Sequence, residues 1–231
     1  MQFHTHRTGV TRAKILTSPQ IKHAIRCAEL TRDPERNTLL ILITHACGLR
    51  VTERACVPIK ALLYPSVRIR EELTLDGSYT KYNRTRTVPL ASPRLLAALD
   101  AYLDRRVAEG IGVIPGETAY RSLSPDMPLI MSGRGSRFAL ARKKRVLKGG
   151  ETEIYLACDA LERVFAKLYA QAGLHGSSSH SGRRGYATKL LHAGVPIDTI
   201  QLLLGHQSAE FTFPYLEPAK ESIRHAFEVA L

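Results

Sequence analysis

The sequence of 231 residues predicts a mainly α-helical α+β fold that contains a small antiparallel sheet. Two observations lead to this prediction. Apolar residues recur at helical spacing both before and after the middle of the chain. Between these helical segments, residues 67–90 alternate in polarity about an Asp76-Gly77 turn, which is typical of a β-hairpin. An apolar fraction of 44% is enough to build a core.

The first third of the chain predicts a basic arm followed by two helices. Residues 1–17 lack clear periodicity and form the arm, and residues 18–231 form one domain. Ser18 followed by Pro19 predicts a helix start with Ser18 as its cap. Residues 37–47 are apolar on almost every side and predict a central buried helix, which Gly48 ends.

The rest of the chain predicts more helices and two further extended segments. Residues 128–132 predict a short buried strand, and residues 137–157 predict a basic hairpin. Asp159 is the expected cap of the helix that follows this hairpin. The remaining helices are predicted at 93–103, 159–172, 184–192, 197–204 and 222–231.

The charge balance indicates a polyanionic partner. Lysine and arginine number 33 and aspartate and glutamate 21, which gives a net charge of +12. Such an excess favours nucleic acid, although a soluble basic protein without that partner has the same balance. The most basic run has no acidic residue, and it is either a solvated face or a surface for DNA phosphates. Its cations are Arg134, Arg137, Arg142, Lys143, Lys144, Arg145 and Lys148.

Several classes of protein are disfavoured by the sequence. The four cysteines are widely spaced and include no C-x-x-C pair, so we expect neither a disulfide framework nor a zinc site. The N-terminal segment is polar rather than signal-like, and no apolar run approaches the length of a membrane span. We therefore expect a cytoplasmic protein with no membrane partner.

The candidate chemistry lies in an ordered set of residues near the C-terminus. His180 and Arg183 form an H-x-x-R motif, and His206 follows 26 residues after His180 in a Leu-Gly-His sequence. Because Gly205 is placed to end a helix, we expect His206 to hold a fixed position. Tyr215 comes nine residues later, directly after a proline that predicts a loop or a kinked turn there.

This set resembles the C-terminal motifs of the tyrosine recombinase, or phage integrase, family. The segment GLRVTE at residues 48–53 resembles the first arginine motif of that family and supplies Arg50. Residues 80–90 resemble its lysine hairpin, which ends in Arg-x-Val-Pro-Leu and places the lysine at Lys81. Taken alone, Arg50 is equally an ion-pair partner of Glu53, and Lys81 is equally a solvated strand lysine.

The resemblance implies both the fold and a catalytic set. The set is Arg50, Lys81, His180, Arg183, His206 and Tyr215. Tyr215 would attack a DNA phosphodiester and form a 3′-phosphotyrosyl intermediate while the two arginines hold the phosphate oxygens. Lys81 would protonate the leaving 5′ oxygen, His180 would act as base or orienter, and His206 would donate to the phosphate. No metal and no other cofactor is implied.

The resemblance also implies partners and leaves rivals open. It implies double-stranded DNA, a homotetramer on two DNA sites that is weak or monomeric without DNA, and accessory DNA-bending or directionality proteins. Only 49 residues precede Arg50, so we expect a short, catalytic-domain-only member without a separate N-terminal core-binding domain, or a piece of a longer protein. Residues 137–157 would then be an insertion. The rivals are a type IB topoisomerase and a DNA-binding regulator without catalysis.

Overall fold

The computed structural model describes residues 13–80, 83–146 and 150–216. The helices are α1 Ser18–Glu29, α2 Pro34–Cys47, α3 Val51–Cys56, α4 Ile59–Leu62, α5 Pro93–Ala108, α6 Asp159–Gln171, α7 Ser179–His192 and α8 Ile197–Leu204. The strands are β1 Glu72–Leu75, β2 Arg86–Pro89, β3 Ala141–Val146 and β4 Thr152–Ala157. The mainly helical α+β fold with small antiparallel sheets is confirmed. The predicted helix at 222–231, Lys81, Lys148 and most of the arm lie outside the described residues.

Helix α2 is the centre of the core. It packs against α1, α5 and α7, and its residues from Leu39 to Thr44 are all buried. A helix covered on several sides has no need of a polar face, which explains the almost uniformly apolar sequence. It begins at Pro34, earlier than the predicted 37, and it ends at Gly48, which adopts a φ of 61°. This left-handed conformation favours glycine.

The first hairpin is shorter than the alternating pattern predicted. Strands β1 and β2 pair antiparallel from Glu72 with Pro89 to Leu75 with Arg86. The prediction of a tight turn at Asp76-Gly77 is wrong. A 3₁₀ turn at Gly77–Tyr79 begins a longer connection between the two strands. The alternation before β1 is equally misleading, since Val67 has a φ of 65° and lies in a turn. Short strands suffice here because their apolar residues are buried on α4 and the core.

Some predicted boundaries and one predicted strand are wrong. Thr17, not Ser18, caps α1, because its side chain forms a reciprocal capping box with Gln20. Cys158 rather than Asp159 precedes α6, so Asp159 is the first helical residue. The segment 128–132 is mostly buried but forms only a single bridge, between Pro128 and Pro58, and the side chains of Arg106 and Tyr102 take several of its backbone hydrogen bonds.

The C-terminal helices position the residues of interest. Helix α7 begins at Ser179, five residues before the predicted start, because Ser178 provides a capping box. Helix α8 ends at Gly205 as predicted, with a φ of 62°. The basic hairpin predicted at 137–157 is present as β3 paired with β4. None of the helices in the described ranges is long and apolar enough to cross a membrane.

Candidate active site

Three arginines from distant parts of the chain converge on the C-terminal end of α8. Arg86 donates from Nε to the carbonyl of Leu203 at 3.0 Å. Arg183 donates from Nη2 to Leu204 at 2.5 Å, and Arg50 donates from Nη2 to Gly205 at 2.9 Å. The last carbonyls of a helix carry partial negative charge and lack helical partners, so they attract cations. The structure thus brings Arg50 and Arg183 to adjacent residues of one helix end.

Glu53 is the acidic partner of this arginine cluster. It is fully buried, and its carboxylate accepts from the backbone N–H and Nη1 of Arg50 at 2.6 and 2.8 Å. The same carboxylate accepts two hydrogen bonds from Arg86, at 2.8 and 2.6 Å. Burial alone would raise the pKa of Glu53, but the hydrogen bonds of Arg86 and the charges of Arg86, Arg50 and Arg183 lower it to about 2. Glu53 is therefore ionised at neutral pH and fixes both guanidinium groups.

Close packing of α7 on α2 delivers Arg183 to the cluster. A side chain at Gly182 would collide with Thr44, so the glycine permits this approach. Arg183 is buried, and its Nη1 donates to the carbonyl of Gly48 at 2.5 Å. Burial and then the charge of Arg50 lower its pKa from the ordinary value. It still remains positively charged at neutral pH, as arginines do.

His206 is held as a neutral ring between Arg183 and Thr212. Its Nε2 lies 3.0 Å from Nη2 of Arg183, and its Nδ1 lies 2.9 Å from Oγ1 of Thr212. Because a guanidinium can only donate, Nε2 must accept and Nδ1 must carry the proton. Burial, followed by the charges of Arg183 and Arg50, lowers the pKa of His206 to about 3.

Tyr215 lies beside this pair. Its ring centroid is 5.0 Å from that of His206, and the guanidinium carbon of Arg183 lies 5.8 Å from its centre. It ends the 3₁₀ turn Phe213–Tyr215, and its carbonyl accepts from Oγ1 of Thr188 at 3.2 Å. A phenol, an imidazole and two guanidinium groups therefore share one site.

Comparison with known proteins agrees with this geometry. The model of the Phage integrase family matches residues 14–222. The chain belongs to this family. Among curated relatives, tyrosine recombinase XerA of Pyrococcus furiosus is 27% identical over 220 residues, which cover 95% of this chain and 63% of XerA. Tyrosine recombinase XerC of Brucella suis is 29% identical over 181 residues, which cover 78% of this chain and 45% of XerC. The chain thus spans between about half and two thirds of their length.

Solved structures of family members share the fold. The crystal structure of XerA recombinase matches with a TM-score of 0.65 at 21% identity, over 94% of this chain and 64% of that one. The XerH site-specific recombinase, in a post-cleavage complex with a palindromic difH substrate, matches with a TM-score of 0.63 at 18% identity. That match covers 93% of this chain and 52% of XerH.

His180 belongs to the same helix as Arg183. It lies in the first turn of α7, one helical turn before Arg183 and on the same side of the helix. The residue is exposed, yet the surrounding protein lowers the pKa of its ring, chiefly by desolvation and against the opposing charge of Glu162. Arg183, Arg54 and Arg50 act in the same direction as desolvation. The lowered pKa leaves the ring of His180 neutral at pH 7.

Two partners in the site were not predicted as site residues. Arg86 is the arginine of the Arg-x-Val-Pro-Leu ending, but only the fold shows that it turns inward to Glu53. Thr212 is an ordinary threonine in sequence, but it is buried against His206. Lys81, the predicted acid, lies outside the described residues and stays a prediction.

The cations of the basic run differ in their surroundings. Arg134 and Arg137 are exposed in the segment before β3, where Arg137 donates to the carbonyl of Asp126. Lys143 and Arg145 form ion pairs within the protein, whereas Arg142 and Lys144 are exposed. The run is therefore not one uniform cationic surface. In the described ranges, no group of three or more histidine, cysteine, aspartate or glutamate side chains is arranged to hold a metal ion.

Proposed function

We propose that the chain is the catalytic part of a site-specific DNA recombinase that cleaves and rejoins strands through a 3′-phosphotyrosyl intermediate. The observation that carries this proposal is the convergence of Arg50 and Arg183 on one helix end beside His206 and Tyr215. The phage integrase family and the recombinase relatives support the same activity.

The arginine cluster suits a phosphodiester. Each guanidinium has five N–H donors, and Arg50 and Arg183 use only some of them on Glu53 and on backbone carbonyls. The remaining donors of Arg50 are open to one charged oxygen of the phosphate, whereas the buried Arg183 turns from its carbonyl partners to reach the other. Hydrogen bonds from a cation to an anion are roughly twice as strong as neutral ones, so the phosphate competes well with the carbonyls that orient the arginines. As negative charge builds on the attacked phosphate, both cations stabilise it.

The chemical step exchanges one phosphoester for another. The phenolic oxygen of Tyr215 bonds to phosphorus, and the bond from phosphorus to the 5′ oxygen breaks. His180 is the proposed acceptor of the phenolic proton, and Lys81 is the proposed donor to the leaving oxygen. Attack by a 5′ hydroxyl of another strand reverses the step and releases Tyr215. Because the phosphoester is conserved, rejoining needs no nucleotide triphosphate.

His206 has a role that depends on the substrate. Its Nε2 accepts from Arg183. A phosphate among the arginines would draw Arg183 toward itself and favour a proton on Nε2. His206 would then donate to a phosphate oxygen and add a third donor to the transition state.

The proposal extends to the assembly on DNA. The relatives solved with DNA include XerH bound to difH and the Tn1549 transposon integrase in complex with circular intermediate DNA. We infer that this chain likewise takes double-stranded DNA, acts as a homotetramer on two sites at the nucleoid, and works with accessory DNA-bending or directionality proteins.

Covalent capture tests the activity. The chain is incubated with a library of nicked duplexes that have a randomised central segment, so that cleavage releases a short strand and traps the adduct. We expect adducts that survive detergent, and we expect Tyr215→Phe to abolish them. Tyr64→Phe is the control, since that phenol contacts Glu71 on the surface. Absence of adducts from wild type, or adducts that persist in Tyr215→Phe, would overturn the proposal. Relaxation of supercoiled plasmid without recombinant product would instead support the topoisomerase.

A further inference from the structure

The register of the basic hairpin sorts its side chains onto two faces. Residues paired across two antiparallel strands point to the same side, and successive residues point to opposite sides. Arg142 pairs with Leu156, and Lys144 pairs with Ile154. The other face consists of Lys143 with Tyr155 and Arg145 with Glu153. We call the first the open face, which includes Val146 and Thr152, and the second the paired face.

Cations on the paired face are already neutralised by the protein. Lys143 donates from Nζ to Asp159 at 2.7 Å, at the start of α6. Arg145 donates from Nε to Glu153 at 2.5 Å, and its guanidinium carbon lies 5.6 Å from the ring centre of Tyr155. Each cation of this face therefore has a carboxylate partner that offsets its charge, although unused N–H donors remain on both.

The open face has the opposite character. Arg142 and Lys144 are exposed, and none of the six residues of this face is acidic. Between and beside the cations lie three apolar side chains, Val146, Ile154 and Leu156, which are 73%, 56% and 42% exposed. An apolar surface flanked by cations, with no carboxylate among its six described residues, is suited to an anionic partner that also has an apolar surface.

We propose that the open face of this hairpin lies against the DNA duplex, with Arg142 and Lys144 on phosphates and the apolar side chains toward the groove. A two-stranded ribbon fits the major groove of B-DNA. Strand β4 packs against α3, the short helix that begins directly after Arg50, so the hairpin stands next to the proposed cleavage site. The inference rests on the proposed function, because it assigns the DNA contact of the same enzyme.

A second copy of the chain related by a twofold axis fits this face less well than DNA does. A twofold contact brings the same patch of both copies together. Here that contact would place Arg142 and Lys144 of one copy against the same cations of the other, with no carboxylate in the patch to separate them. Like charges in contact destabilise an interface, whereas DNA supplies the missing negative charge.

Two matched double variants test the role of the cations. Arg142→Gln/Lys144→Gln and Lys143→Gln/Arg145→Gln each remove two positive charges from β3. Affinity for a duplex recovered by covalent capture, or for a random-sequence duplex where none is captured, is measured between about 0.1 and 1 M salt. Each lost phosphate contact lowers the slope of log affinity against log salt by about 0.9, so the open-face variant should lose about 1.8. If the variant and wild type bind almost equally at 1 M salt, this change in slope corresponds to about 60-fold weaker binding of the variant at 0.1 M.

The paired-face variant is the control for net charge. We expect it to keep the wild-type slope, because its cations are held by Asp159 and Glu153. Equal slopes for both double variants, or a wild-type slope for the open-face variant, overturn the inference. Covalent capture by wild type tests the proposed function separately. If the wild-type chain captures DNA and the open-face variants bind DNA normally, only the hairpin contact is refuted. If DNA binding depends on the hairpin but the wild-type chain captures no DNA, only the proposed activity is refuted.

A third variant tests the apolar part of the open face. Ile154→Ser/Leu156→Ser should weaken DNA binding roughly tenfold at every salt concentration, because burial of apolar surface is independent of counterions. Both side chains are exposed, so circular dichroism should show a folded chain. Unchanged DNA affinity together with reduced self-association in sedimentation would assign the face to contacts between copies and overturn the inference.

Discussion

Replacing Glu53 by glutamine should destabilise the fold strongly, because it removes the only carboxylate that the described arginine cluster contacts directly. Glu53 accepts hydrogen bonds from Arg50 and Arg86 and has no exposed surface. Glutamine keeps the shape but presents an amide that donates toward guanidinium groups that also donate. Arg86, which is itself buried, would be left without a counterion.

The size of the loss follows from the pKa of Glu53. Its folded value is about 2 against an ordinary 4.5, and each tenfold change in proton affinity is worth ~1.4 kcal/mol. The ionised side chain thus contributes about 3 kcal/mol to the free energy of unfolding. Removing one partner of a buried ion pair typically costs about 3 to 5 kcal/mol, which agrees. Because the folded pKa is depressed, this contribution is complete above pH 4.5 and is lost as the pH falls through 2.

Urea denaturation measures this loss. The midpoint and the slope are compared for wild type and Glu53→Gln at pH 7 and at pH 3, and extrapolation gives the free energy of unfolding. Glu71→Gln is the control, because its ion pair with Arg68 is exposed and its loss should leave the stability close to that of wild type. We expect the free energy of unfolding of Glu53→Gln to be about 3 kcal/mol below that of wild type at pH 7, and we expect about half of this difference at pH 3.

A second variant separates an unpaired charge from a disturbed shape. Combining Glu53→Gln with Arg86→Met removes the orphaned cation, and we expect it to recover part of the lost stability. A loss below about 1 kcal/mol for Glu53→Gln, or a gap of equal size at pH 7 and pH 3, would refute the view that Glu53 acts as a buried counterion.

Three further predictions concern the surroundings of the cluster. Thr212→Val should cost about 1 to 3 kcal/mol in unfolding free energy and slow covalent capture, because Nδ1–H of His206 loses its acceptor; Thr212→Ser should restore both. Nuclear magnetic resonance should show His206 neutral above pH 4 in the free chain, with its pKa of about 3 raised when duplex DNA binds; an unmoved pKa would contradict the phosphate contact. Gly48→Ala should lower the melting temperature more than Gly194→Ala, since both have positive φ but only the Cβ at Gly48 would lie 2.5 Å from Tyr186.

Helices were easier to predict from the sequence than strands or exact boundaries. The buried α2 and the glycine stop of α8 were recognisable because helical periodicity and left-handed glycines are local properties. The hairpin at 67–90 was overextended, because alternation reports burial on one side and not hydrogen bonding to a partner strand. The buried segment 128–132 shows the same error, since its apolar side chains pack without a ladder.

The candidate site shows a similar division. His180, Arg183, His206 and Tyr215 were visible as a spaced motif within one stretch. Sequence separation hid the other partners, because Arg86 lies 33 residues from Glu53 and 117 from the carbonyl of Leu203 that it contacts. Strand alternation places Arg86 on the face of the buried Val88, but it does not identify the carboxylate and the carbonyl that Arg86 contacts.

The sequence alone determined the identity of the motif residues, the helical character of the chain and its basic charge, since these depend on residue types and on local spacing. Only the tertiary structure decided which cations have a carboxylate or carbonyl partner within the protein. Arg50, Arg86 and Arg183 meet at the end of α8 through contacts across the whole chain, and Lys143 and Arg145 are paired while Arg142 and Lys144 are exposed. The reason is that a charge acquires its partner through folding, and the electrostatic field that acts on a site is the sum over neighbours that the sequence does not place together.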